Sequence, residues 1–167
     1  MRRVLSLVLI SLVAVTMTGQ FKQFSDVPAY NAAPPTKGQA LPPLMAGDQL
    51  TGSNFQKAYQ AAAYKAAARV PNVLHQLPCY CFCDRSAGHN SLHSCFESVH
   101  GAHCTTCMKE AFFAEEQTRK GKTAKQIREA IMKGDYQSFD LEKVGWTDFN
   151  APATAATKKP VTHKTSH

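Results

Sequence analysis

The sequence predicts a small all-α domain, with an irregular cysteine-rich segment between helices and a disordered linker and tail on either side. Three observations lead there. Two stretches carry apolar residues at helical spacing with capping signals at their ends, and an alanine-rich stretch precedes them. No stretch alternates apolar and polar residues as a half-buried strand would. All six cysteines lie between Leu77 and Cys107, a segment without sustained period.

The first helix is expected over residues 54–69. Ser53 is placed to cap it with Gln56 three residues on, and "NFQKAYQAAAYKAAARV" is rich in the best helix former. Phe55, Tyr59, Ala62 and Ala66 fall on one stripe. Pro71 can open a further helical turn through Leu77, which Pro78 ends, pushing Leu77 towards extended backbone. Between 78 and 103, Gly88 and Gly101 leave room for one short helix around Leu92–Val99. Regular order returns at Cys104, where "CTTCMKEAFFAEEQTRK" sets Cys104, Cys107, Met108, Ala111, Phe112 and Glu115 on adjoining rows, closed by Gly121. Thr123 and Gln126 form a second capping box for a helix with an Ile127, Ala130 and Ile131 face, ending at Gly134. Trp146 and Phe149 are expected to fold back as a last hydrophobic clasp.

The ends are read differently. Arg2-Arg3 followed by the uncharged, mostly aliphatic Val4 to Met17 has the pattern of an export signal over residues 1–19, or of an uncleaved N-terminal anchor, and is short for a bilayer span of about 20 residues. Residues 20–52, with five prolines, read as a linker to the folded part at 53–150, and the basic residues 151–167 as a disordered tail. Export places the thiols outside the cytosol, in a periplasmic or other extracytoplasmic compartment.

The net charge of +7 is concentrated at those ends. Residues 20–150 hold 14 basic and 12 acidic side chains, and the one internal basic run (Arg119, Lys120, Lys122, Lys125) surrounds the expected helix break at Gly121. A phosphate-tracking protein would show a basic face interleaved with aromatics, so nucleic-acid binding is not expected.

The chemistry resides in "LPCYCFCDRSAGHNSLHSCFESVHGAHCTTC". Cys79, Cys81 and Cys83 form C-x-C-x-C. In an extended chain their sulfurs would share one side, with Tyr80 and Phe82 opposite as a cover; a turn could instead gather them. Cys104 and Cys107 share one face at a helix start, where the positive helix end favours thiolate. Three chemistries compete. Six cysteines can form three disulfides, although a bridge between Cys79 and Cys81 would be strained. A dithiol redox centre is a second reading. Met108 after Cys107 rules out the covalent haem motif, and no strand precedes Cys104 as a thioredoxin-like site would require. Six crowded thiols argue against a cysteine-protease nucleophile.

The reading favoured is metal binding by copper(I) or zinc, through Cys79, Cys81, Cys83, Cys95, Cys104 and Cys107 with His89 after Gly88. His93 and His103 rank behind His89 as ligands, and His100 lower still. His75, His163 and His167 are read as surface or tail residues, and Met108 as core. The expected partners are a metal ion or a thiol partner protein.

Pro78, Cys79, Tyr80, Cys81, Cys83, Gly88, His89, Cys95, Phe96, Cys104, Cys107, Gly121-Lys122, Ile127-Arg128 and Gly134 together resemble the PCYCGC-motif family of exported bacterial proteins, also called CYCXC (seleno)proteins, across roughly Ala61 to Tyr136. Phe82 occupies the variable place that Gly fills in the name motif. The resemblance implies an exported or lipid-anchored protein of uncharacterised function, although no cysteine follows the apolar run here to carry a lipid. Selenocysteine replaces a motif cysteine in some relatives, which implies a reactive or soft-metal thiol more than an inert bridge.

Overall fold

The computed structural model describes residues 26–144. The stretch expected to be an export signal or anchor, Trp146, Phe149, His163, His167 and the tail lie outside the described residues. Within them the chain is helical and has no strand: α1 (Ala58–Arg69), α2 (Pro71–Leu74), α3 (Cys83–Ser86), α4 (Thr105–Arg119) and α5 (Ala124–Lys133) are joined by 3-10 turns.

Helix α4 is the axis of the fold. Eight of its fifteen residues are buried, because α1 covers one side while α5 and the turn at Asp135–Ser138 cover the other. The alanines anticipated for α1 allow this approach. Ala62, Ala63, Ala66 and Ala67 are buried with almost no exposure, and their short side chains bring α1 close to α4. Tyr64 sits between Phe55 and Phe96 with edge-to-face contacts at 5.2 and 5.0 Å. Phe112 stacks on Phe139 at 5.6 Å, closing the far end of the core.

The C-terminal capping reading holds. The Thr123 N–H donates to Gln126 Oε1 and the Gln126 N–H to Thr123 Oγ1, at 2.9 and 3.3 Å. Gly134 ends α5 with φ +87°. The start of α1 differs from expectation, since the helix begins at Ala58 rather than at residue 54. Asn54 lies in a 3-10 turn (Gly52–Asn54) and its Oδ1 pairs with His103 Nε2 at 2.9 Å. Phe55 leaves the helical path to meet Tyr64. The cap therefore moves to Lys57, whose N–H donates to Gln60 Oε1 at 2.7 Å.

The expected short helix at Leu92–Val99 is instead two 3-10 turns, Leu92–Phe96 and Val99–His103. Ser98 separates them by accepting the His100 N–H on its hydroxyl. The described part of the proline-rich stretch, residues 26–52, has no α-helix, with a 3-10 turn at Gly47–Leu50, but is not a free linker. Pro28 and Leu50 are buried, the Met45 N–H donates to Phe96 O at 3.0 Å, the Ala29 N–H to Asp84 Oδ2, and Asn31 to His75 O. It forms a strap laid across the cysteine segment.

Candidate metal centre

Residues 79–83 are not an extended strip. The Phe82 N–H donates to Cys79 O at 3.0 Å, so the chain turns, and Phe82 takes left-handed backbone (φ 57°, ψ 32°) to enter α3. This is the one non-glycine residue with positive φ among those described. The turn gathers sulfurs that alternation would have left far apart. Cys79 Sγ lies 3.4 Å from Cys81 Sγ, while Tyr80 and Phe82 meet each other edge to face on the outside.

The turn docks on the N-terminal end of α4. Cys104 caps that helix and Cys107 lies in its first turn. Cys107 Sγ is 3.4 Å from Cys79 Sγ and 3.6 Å from Cys81 Sγ, which makes a near-equilateral triangle of sulfurs from two distant parts of the chain. Cys104 joins Cys81 and Cys107 in a second group whose ligand atoms all lie within 4.8 Å of one another.

A second focus lies alongside. Cys83 Sγ is 3.4 Å from Cys95 Sγ, and His89 Nδ1 is 3.4 Å from Cys95 Sγ. The His89 and His100 rings meet at 4.6 Å and 71°, and the four donors of Cys83, His89, Cys95 and His100 share one 4.8 Å envelope. Cys79 falls within that distance of Cys83 and of Cys95, so the two foci touch.

All seven residues singled out from the sequence (Cys79, Cys81, Cys83, His89, Cys95, Cys104 and Cys107) are thus brought to one region, and every one of the six cysteines is a free thiol. Their protons are not held equally. Hydrogen bonds from Cys104, then Cys107 and Cys79, pull the half-buried Cys81 thiol far below the usual range. Cys83 is lowered to about 3, chiefly by Cys107 and Cys79. Cys107 is raised in turn by its bonds to Cys104, Cys79, Cys81 and Cys83, with burial adding to them.

The remaining histidines sit elsewhere. His93 is buried, pairs through Nδ1 with Glu97 at 2.9 Å, and lines a groove with Leu41, Leu44 and Pro71. His103 is exposed and bound to Asn54. His75 is half-buried beside Asn31. Met108 is core, as its helical row predicts.

Two site residues escaped the sequence reading. His100, the weakest of the histidine candidates by pattern, completes the second focus. Glu110, which no motif marks, is fully buried behind the turn. The Tyr80 N–H donates to its Oε1 at 2.9 Å, and its Oε2 is buried without a hydrogen-bond partner. Burial pushes the Glu110 carboxyl up to about 8, against the opposing pull of the Cys79 thiol and the Tyr80 N–H. One signal was available: Glu110 lies one turn beyond Cys107 on α4.

The donor set fits a soft or borderline metal. Thiolates and neutral imidazoles are the ligands such ions take, and a tetrahedral zinc about 2.3 Å from each sulfur sets sulfurs about 3.8 Å apart, a few tenths of an ångström from the separations here. No curated protein and no solved structure matches the chain at a significant level. A family model described as protein of unknown function with PCYCGC motif covers residues 48–140, which includes every cysteine and the helices that position them. By that match, and by Pro78-Cys79-Tyr80-Cys81 with Cys83 at its centre, the chain belongs to the PCYCGC-motif family.

Proposed function

We propose that this protein is an exported metal-binding protein that takes copper(I) or zinc through its gathered thiols. One observation supports the reading above others. Six free thiols from three separate stretches of the chain, with two imidazoles, converge on one largely buried region, where four sulfur pairs lie 3.4 to 3.6 Å apart. Packing six thiols side by side, four of them buried, offers little advantage over aliphatic residues, whereas bound ions would use them as ligands. Export rests on the charged-then-apolar start of the sequence.

The test is metal content of protein purified without oxygen, beside a Cys104→Ser/Cys107→Ser variant. The expected result is at least one equivalent of copper or zinc in the parent chain and a clear loss in the variant. Substoichiometric metal, unchanged by the double substitution, would end the reading.

A second reading is favoured by the low Cys81 proton affinity. As a thiol–disulfide exchanger, the Cys81 thiolate would attack a partner protein's disulfide and form a mixed disulfide. Cys107, 3.6 Å away, would then displace the partner's second thiol. The partner gains two electrons, and this chain ends with a Cys81–Cys107 disulfide. Turnover of a test disulfide by metal-free protein, lost in Cys81→Ser, distinguishes this reading from metal binding.

A further inference from the structure

Resting on the metal-binding reading, we infer that the thiol region is two centres of different preference. Cys83, His89, Cys95 and His100 form a closed two-sulfur, two-nitrogen site for zinc. Cys79, Cys81, Cys104 and Cys107 form an all-sulfur site for copper(I).

The division follows from the donors and from the chain that carries them. The mixed set comes entirely from residues 83–100, a stretch whose helical pieces are no longer than five residues. Gly88, at φ +69°, lets the chain reverse after α3 so that His89 faces Cys95. The Ser98 break then returns His100 to the same point. A segment this irregular, with few large apolar side chains of its own, gains most from a metal that ties its ends together. The His100 Nε2 provides an independent sign of a missing ligand, being buried with no hydrogen-bond partner. Two thiolates and two neutral imidazoles also cancel the charge of a zinc ion, which suits a buried centre.

The all-sulfur set is built differently. It joins the 79–81 turn to the start of α4 and contains no nitrogen donor, a composition open to copper(I) as well as zinc. Its tightest part is the Cys79, Cys81, Cys107 triangle, with Cys104 beside Cys81 and Cys107, and a triangle of three sulfurs suits the low coordination number of copper(I) better than tetrahedral zinc. No residue has to serve both sets, although Cys79 adjoins each.

The full chain, reduced and held without oxygen, is supplied with zinc and copper(I) together, and X-ray absorption is recorded at both metal edges. The expected zinc shell holds two sulfurs and two nitrogens, and the copper shell sulfur alone. His89→Ala/His100→Ala should weaken zinc retention at least tenfold and leave copper in place, while Cys104→Ser/Cys107→Ser does the reverse. A zinc shell of sulfur only, or loss of both metals together in a variant that keeps its helical circular dichroism, overturns the division into two centres while leaving metal binding intact. A parent chain that retains neither metal refutes the metal-binding reading itself. The parent spectra decide the matter even where a variant fails to fold.

Discussion

The main-chain N–H of Tyr80 donates to the carboxylate of Glu110 at 2.9 Å, and Glu110 is fully buried. This contact fixes the C-x-C-x-C turn against α4 and so sets Cys79 and Cys81 against Cys107. It also leaves a carboxyl in an apolar interior, where burial raises its proton affinity to about 8 from an ordinary 4.5.

That shift has a defined sign. An acid held more tightly in the folded state contributes stability that is complete below the unfolded value of 4.5 and is lost as pH rises through about 8. Reduced, metal-free protein should therefore lose on the order of 3 kcal/mol more between pH 5 and 9 than Glu110→Gln does. The glutamine can still accept the Tyr80 N–H but carries no proton to lose. Urea midpoints at several pH values measure the difference, and parallel profiles would contradict this account of Glu110.

Phe82 explains the glycine of the family's name motif. Left-handed backbone costs a non-glycine residue about 1–2 kcal/mol, and the Phe82 ring partly offsets this by meeting Tyr80 at 5.9 Å and lying under the Arg85 guanidinium at 4.1 Å. Phe82→Ala keeps the strained backbone and loses both contacts. Phe82→Gly loses the contacts and relieves the strain. The glycine variant should be the more stable of the two by about 1 kcal/mol in chemical denaturation, and the opposite order would contradict the backbone argument.

Tyr64 links the core to the mixed-donor focus. Its hydroxyl donates to Ser98 O and accepts the Ala102 N–H, holding the turn that carries His100. Burial raises its proton affinity to about 12, so the hydroxyl stays protonated throughout the neutral range. Tyr64→Phe leaves two main-chain groups without their partner and should cost about 1–3 kcal/mol. Because the turn loosens, zinc affinity should fall as well; titration with a competing chelator reads that second effect. Stability lost with zinc affinity unchanged would uncouple the turn from the site.

The parts of the fold that follow from local chemistry were legible in the sequence. Thr123, Gln126 and Gly134 bound α5 through contacts within a few residues, and the alanines of α1 announce both helix and close packing. The gathering of the cysteines was legible because their composition left few alternatives. What the sequence concealed depends on contacts far apart in the chain. Nothing local marks Glu110 for burial, because the 79–83 turn that docks on it lies thirty residues away. Asn54 and Phe55 would extend α1 if His103 and Tyr64 did not hold them elsewhere. The strap at residues 26–52 packs through single main-chain bonds such as that of Met45 to Phe96, which leave no period to read.

The convergence of the sulfurs is tested most directly by counting reactive thiols and bound metal in one oxygen-free native sample, then counting thiols again after unfolding with a chelator. The predicted result is bound metal with most thiols silent in the native state, and all six reactive once unfolded and stripped. Six thiols that react at once in a metal-free native protein, or none that react after unfolding without reductant, would contradict it.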